Sequence, residues 1–140
     1  MTAPRHGTRT KARKRALDIL FEAELRGRDA LDTLADHIVA GHPPVREFTS
    51  DLVKGVHEHR EAIDARIAAS LSAAWTLDRM PRVDRNLARI AVYEIDYTDV
   101  APEVAIGEAV ALSAELSTDE SPGFLNGMLA VVLTGTAKGR

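Results

Sequence analysis

The stretch from Val83 to Ile95, VDRNLARIAVYEI, limits the possible folds more than any other part of the chain. Its apolar residues at 83, 87, 90, 91 and 95 keep the three-and-four spacing of one helical face. Val92 adds a second apolar strip, so the helix is expected to be buried on more than one side. Pro81 stands just ahead, where a first helical turn tolerates it. Asp84, Arg85 and Arg89 are expected to mark the face that reaches water. A helix this apolar needs neighbours on two or three sides.

The flanking sequence supplies them. Thr8 can cap a helix from Arg9 to about Gly27, with Ala16, Leu17, Leu20, Phe21 and Leu25 apolar. Asp29 is a cap for a second helix with Leu31, Leu34, Ala35 and Ile38 on its inward side, ended by Gly41 to Pro44. A third pattern runs through Val45, Phe48, Leu52, Val53 and Val56, then Ile63, Ile67, Leu71 and Trp75. A single helix over 45–75 would be about 45 Å long, too long for a domain of this size, so a break is placed at 58–60. Pro102 opens another helix with Val104, Ile106, Ala109, Val110, Leu112 and Leu116. Ser121-Pro122 reads as a cap and N1 proline for a last helix carrying Phe124, Leu125, Met128, Leu129, Val132 and Leu133.

No segment alternates with period two between hairpin turns. The expected fold is therefore all-α, a compact bundle of about seven helices in two antiparallel helical subdomains. The expected divisions are a disordered arm over 1–8, a first subdomain over 9–60, a second over 61–135 and a frayed tail over 136–140. No apolar run approaches the ~18 residues of a membrane span. The basic N-terminus has no apolar core behind it, so it is not read as a secretory signal. A chain without cysteine has no disulfide or thiolate metal site and fits a reducing cytoplasm.

The net charge of −3 conceals a strong asymmetry. Arg5, Arg9, Lys11, Arg13, Lys14 and Arg15 give residues 1–15 a charge of +6, with no acid before Asp18. The remainder sets twelve cations against all 21 acids, a net of −9. Cations in the first turns of a helix oppose its dipole and cost ~0.3–1 kcal/mol each at low salt. Placed there, they read as a site for an anion, with helix N–H groups and side chains converging on it.

Catalytic patterns are missing. The chain has no phosphate-binding glycine loop, dinucleotide fingerprint or nucleophile elbow. His57 and His59 are two residues apart and point to different sides of a helix, so they read as surface histidines and not a metal pair. The pairs Asp96/Asp99 and Asp119/Glu120 fall at helix ends, where acids serve as caps and dipole partners. The expectation is a non-enzymatic binding module with no cofactor and no metal. Among six aromatic residues most lie on apolar faces, but Phe124 opens a helix beside Pro122, Gly123 and Asn126. A ring with amides nearby, and cations for the phosphates, suits unpaired RNA bases.

At these residues the chain resembles the NusB family of bacterial transcription antitermination factors. The resemblance rests on a basic helix running into ALDILFEAEL, then WTLDRMPRVDRNLARIAVYEI, then PEVAIGEAVALS and FLNGML, in the family's order over about 9–134. It implies an all-helical fold of two subdomains and seven helices. It also implies a job: binding single-stranded boxA RNA of ribosomal RNA leaders together with the ribosomal protein NusE, within the RNA polymerase antitermination complex. The implied RNA contacts are Arg9, Lys11 and Arg13, with Lys14 and Arg15 as added charge, and Phe124 and Asn126. Asp84 matches an acidic position facing the ribosomal partner, and Phe21 an aromatic one in that region. Some family members form homodimers by burying the surface used for NusE or RNA. Gly107 stands where the family often has Asn, Ala130 where it often has Asp, and 113–120 has no lysine.

Two other readings differ in class. One is a protein-interaction module whose acidic body recruits a basic partner while the arm is passive. The other is a regulatory domain like the NusB-like segment fused to some RNA methyltransferases. It ranks last, since the chain ends at Arg140 without room for a catalytic domain.

Overall fold

The computed structural model describes residues 6–72 and 75–138, the last three as backbone only. Seven α-helices and one 3-10 turn make up the described secondary structure, with no strand. The chain divides into two compact units, residues 1–54 and 55–140. The all-helical expectation is met; the disordered arm and the frayed tail fall largely outside the described residues.

In the first unit, α1 spans Thr8–Arg26 and α2 spans Ala30–Ala40. Gly7, not Thr8, is the N-cap of α1, and its carbonyl accepts from Lys11 N–H at 3.0 Å. Thr8 therefore sits in the first turn, one residue inside its expected place. Gly27 ends α1 at φ 63°, a left-handed conformation that suits a residue without Cβ, and Arg28 N–H returns to Ala23 O at 2.8 Å. Asp29 caps α2 as expected, accepting from the N–H groups of Leu31 and Asp32 at 2.7 and 3.2 Å. The expected inward stripe of α2 is not covered. Leu34 is buried, but Leu31 and Ile38 are 39% and 51% exposed and Ala35 is exposed too. Thr33 occupies the interior beside Leu34, because its hydroxyl can be satisfied by Asp29 O at 3.0 Å.

Helix α3 spans Glu47–Glu58 and α4 spans Arg60–Ala69. The break expected at 58–60 is present. His59, at φ −105° and ψ 16°, interrupts the helix without any proline. Thr49, in the first part of α3, donates its hydroxyl to Ala12 O at 2.9 Å and ties this segment to α1.

In the second unit, α5 (Arg82–Tyr97) packs against α4, α6 (Pro102–Leu116) and α7 (Ser121–Lys138). Three neighbours bury Leu87, Ala88, Ile90, Ala91 and Val92, as its apolar surround predicts. Each of the larger side chains contributes ~1.5–3 kcal/mol of transfer free energy. The charges on α5 do not mark a wet face. Asp84, Arg89 and Glu94 are 2%, 4% and 1% exposed. Arg89 is held by a two-point pair with Asp64 of α4, Nε to Oδ1 at 2.8 Å and Nη2 to Oδ2 at 3.2 Å. Asn86 Oδ1 accepts from Arg89 Nη1 at 3.2 Å. Burial of a charge is tolerated when it is paired and hydrogen-bonded in this way. A second α4–α5 tie joins Arg66 to Asp96 at 2.9 and 3.0 Å. Asp96 thus pairs across helices instead of capping one.

Gly55, at the start of this unit, lies so near Tyr93 that a Cβ there would collide with the ring. Tyr93 continues into a ring stack with Tyr97 and His59, the last two 3.8 Å apart and 13° from parallel. His59 is therefore half-buried in a stack and not an ordinary surface histidine. Pro102 is the first residue of α6, as expected, but the covered face of that helix is Ala105, Ala109, Leu112 and Ser113, and Val104 is 47% exposed. Helix α7 continues to Lys138, past the expected end at Gly135. Among the described residues no buried side-chain nitrogen or oxygen lacks a hydrogen-bond partner.

Candidate nucleic-acid interface

The basic turns of α1 present two faces, because positions four apart stack one above the other. Arg9 and Arg13 lie over the Phe48 ring, their guanidinium carbons 4.5 and 5.2 Å from its centroid. Arg9 is exposed, whereas Arg13 is only 3% exposed. Arg13 is thus built into the unit, with its cation against a ring face. Arg9 rests one side of its guanidinium on that ring and leaves the rest to solvent.

Lys11, Lys14 and Arg15 face the other way, into an open groove of about 1080 Å³. The α2–α3 connection lines it as well, through His42, Pro43, Pro44 and Arg46. Arg15 spans the groove floor. Its Nη1 donates to Pro43 O at 3.1 Å and its Nε to His37 Nδ1 at 3.3 Å. A guanidinium only donates, so His37 Nδ1 is the acceptor and its Nε2–H donates to Glu22 Oε1 at 3.1 Å. Arg15, His37 and Glu22 thereby lock α1, α2 and the connection together.

The acids of the groove lie further along the chain than the first basic turns. Asp18, Glu22 and Asp36 line it together with Arg26 and His37. Partial desolvation pushes the Asp18 carboxyl up from its ordinary value, and Lys14, Arg15 and His37 pull it back down. No acid lies in the first turn of α1, and no side chain caps its N-terminus. Its leading N–H groups and side-chain cations therefore act in the same direction on an anion.

In the second unit, Phe124 is half-buried near the start of α7, and its ring centre is 6.0 Å from that of Trp75 at 43°. Trp75 is 47% exposed, contrary to its expected core position. It lies beyond the end of α4, so the apolar pattern that reaches it in the sequence does not carry it inward. Asn126 is exposed one residue past the buried Leu125. Two aromatic faces and an amide are thus gathered at one end of α7. Gly107 is exposed in mid-α6 with open space around it, so nothing in the fold requires glycine there.

Asp84 does not fit a surface contact. Both its oxygens are used inside the unit: Ser117 Oγ donates to Oδ1 at 2.6 Å and Ser121 Oγ to Oδ2 at 2.7 Å. Ser121, expected as a cap, is the first residue of α7, and Thr118 N–H donates to its Oγ at 3.2 Å. Phe21 is half-buried on α1, and Leu25, one turn on, is 58% exposed. Sequence reasoning overlooked Phe48 as a cation seat, Trp75 as a surface ring, and Arg46 and His42 as groove residues. Phe48 carried the one available signal, since it is an aromatic at the start of a helix that follows a short connection.

The NusB family model matches residues 10–134. A transcription antitermination protein NusB from Acidothermus cellulolyticus is 52% identical over 130 residues, 92% of this chain and 89% of that protein. The solved structure of T. maritima NusB superposes with a TM-score of 0.80 at 29% identity, covering 96% of this chain and 93% of that one. A crystal structure of the antitermination factors NusB and NusE in complex with double-stranded RNA gives a TM-score of 0.80 over 91% of this chain and 96% of that one. At 24% identity this last likeness concerns the fold alone.

Proposed function

Because the chain belongs to the NusB family, whose relatives are non-enzymatic transcription antitermination proteins, we propose that it binds single-stranded boxA-type RNA of ribosomal RNA leaders in partnership with NusE. The observation that carries this reading is the cationic start of α1, where Lys11 and Lys14 line an open groove and Arg9 sits exposed beside it with no acid in the first turn. In this reading Arg9, Lys11 and Lys14 meet phosphates, and Arg13 and Arg15 hold the surface that presents them. Phe124 and Trp75 offer faces to unstacked bases, and Asn126 an amide to a base edge. Phe21 and the exposed Leu25 supply an apolar patch for the protein partner, in keeping with the acidic remainder of the chain attracting a basic ribosomal protein.

The complex would then act within the RNA polymerase antitermination machinery in the cytoplasm. Among the described residues no helix is long and apolar enough to cross a membrane. Three phosphate contacts predict that log K falls against log salt with a slope of about −2 for a single strand. The test measures binding of a labelled boxA strand, its scrambled counterpart and the duplex, with and without NusE, across a salt series. Preference for the boxA strand, strengthened by NusE, supports the reading. Equal affinity for the scrambled strand removes the boxA assignment. Capture of NusE without any RNA affinity favours the interaction-module alternative.

A further inference from the structure

The groove is lined by more than the basic helix. On α1, Lys11 is exposed, and Arg46, exposed just ahead of α3, lines the same groove. Among the described residues neither side chain makes a hydrogen bond or ion pair. The other charged groups facing the groove are largely committed: Arg15 to Pro43 O and His37, and His37 to Glu22. The structure therefore leaves two uncommitted cations lining one groove, one from α1 and one from the residue just ahead of α3, with Asp18, Glu22 and Asp36 also in its lining.

We infer that Arg46 is a phosphate-binding residue, and that Arg15 is a positioning residue which holds the α2–α3 connection so that Arg46 faces Lys11 across the groove. The inference rests on the RNA-binding reading above and deepens it. The strand is gripped from two sides between α1 and the connection, instead of lying along α1 alone. A guanidinium suits this wall because it stays charged and offers a planar fork of donors to phosphate oxygens. Arg15 already directs its Nε to His37 and its Nη1 to Pro43 O, and loss of those bonds would free the connection to move.

The test uses the full chain and a fluorescently labelled twelve-nucleotide single-stranded boxA RNA, titrated from 50 mM to 1 M salt. One phosphate contact contributes about 0.7 to the single-strand salt slope, or roughly eightfold in affinity between those two salts. R46A is expected to flatten the slope by that amount with an unchanged melting temperature, and R46K to restore most of it. R15A is expected to weaken binding, and the double variant R15A/R46A to bind no more weakly than the stronger single loss. K11A serves as the control for the helix wall. If R46A keeps the parent slope while K11A flattens it, the two-walled groove is wrong and the helix-only reading stands. If the parent chain does not bind the RNA even at 50 mM salt, the RNA-binding reading fails and takes this inference with it. Fully additive losses in R15A and R46A would overturn the positioning role of Arg15.

Discussion

The Asp84 carboxylate accepts a hydrogen bond from the Ser121 hydroxyl at 2.7 Å, joining the first turn of α5 to the first residue of α7. Ser117 donates to the other oxygen at 2.6 Å, so one buried acid organises both ends of the α6–α7 connection. The arrangement matters for the candidate site because Phe124 follows Ser121 by one helical turn. Asp84 therefore acts on that end of α7 from beneath and not as a surface contact.

Replacing that acid while keeping its shape isolates the charge. D84N retains volume but turns one acceptor oxygen into a donor that confronts a hydroxyl. Hydrogen bonds to charged groups contribute about 1.5–3 kcal/mol each, so a loss of about 2 kcal/mol in urea unfolding is expected. The same variant should broaden or shift the Phe124 ring signals in NMR spectra while leaving those of Phe48 in place. Undisturbed stability would show that the serines satisfy themselves without the carboxylate.

The Asp64–Arg89 pair predicts an asymmetry between its two partners. Arg89 is 4% exposed and the Asp64 side chain 27% exposed. D64A strips a buried guanidinium of its carboxylate and is expected to cost ~3–5 kcal/mol. R89M replaces the buried cation by an apolar chain of similar length and leaves Asp64 near water with Arg60, whose Nε is 2.9 Å away. It should cost clearly less than D64A. Equal losses in chemical denaturation would mean that packing, not charge burial, sets the energetics of this contact.

Asp18 gives a pH signature with a definite sign. Burial raises its carboxyl above the unfolded value, so the native state favours the protonated form. Such a group supports the fold at acid pH and costs stability once pH rises through its native pKa. D18N should therefore melt slightly higher than the parent at pH 7, with the gap closing as pH falls toward 3. It also removes a negative charge from the groove and should tighten RNA binding at low salt. A gap that widens on acidification would reverse the assigned direction.

The sequence by itself determined the helices, their order and most of their ends. Asp29 capped α2, Pro102 opened α6, Gly27 and Gly41 closed their helices, and the break near His59 followed from length alone. These are local matters, set by a 3.6-residue period and by side chains bonding backbone a few positions away. Tertiary structure decided which charges go inside. Asp84, Arg89 and Arg13 read as water-facing until partners 25 to 37 residues distant, or a ring on another helix, appear beside them. It also left most of the α2 stripe uncovered, brought Trp75 to the surface beside Phe124, and set Arg46 and Lys11 in the lining of one groove. Periodicity records that a face is apolar or charged. Whether that face meets water depends on residues far away in the chain, and no local pattern carries their positions.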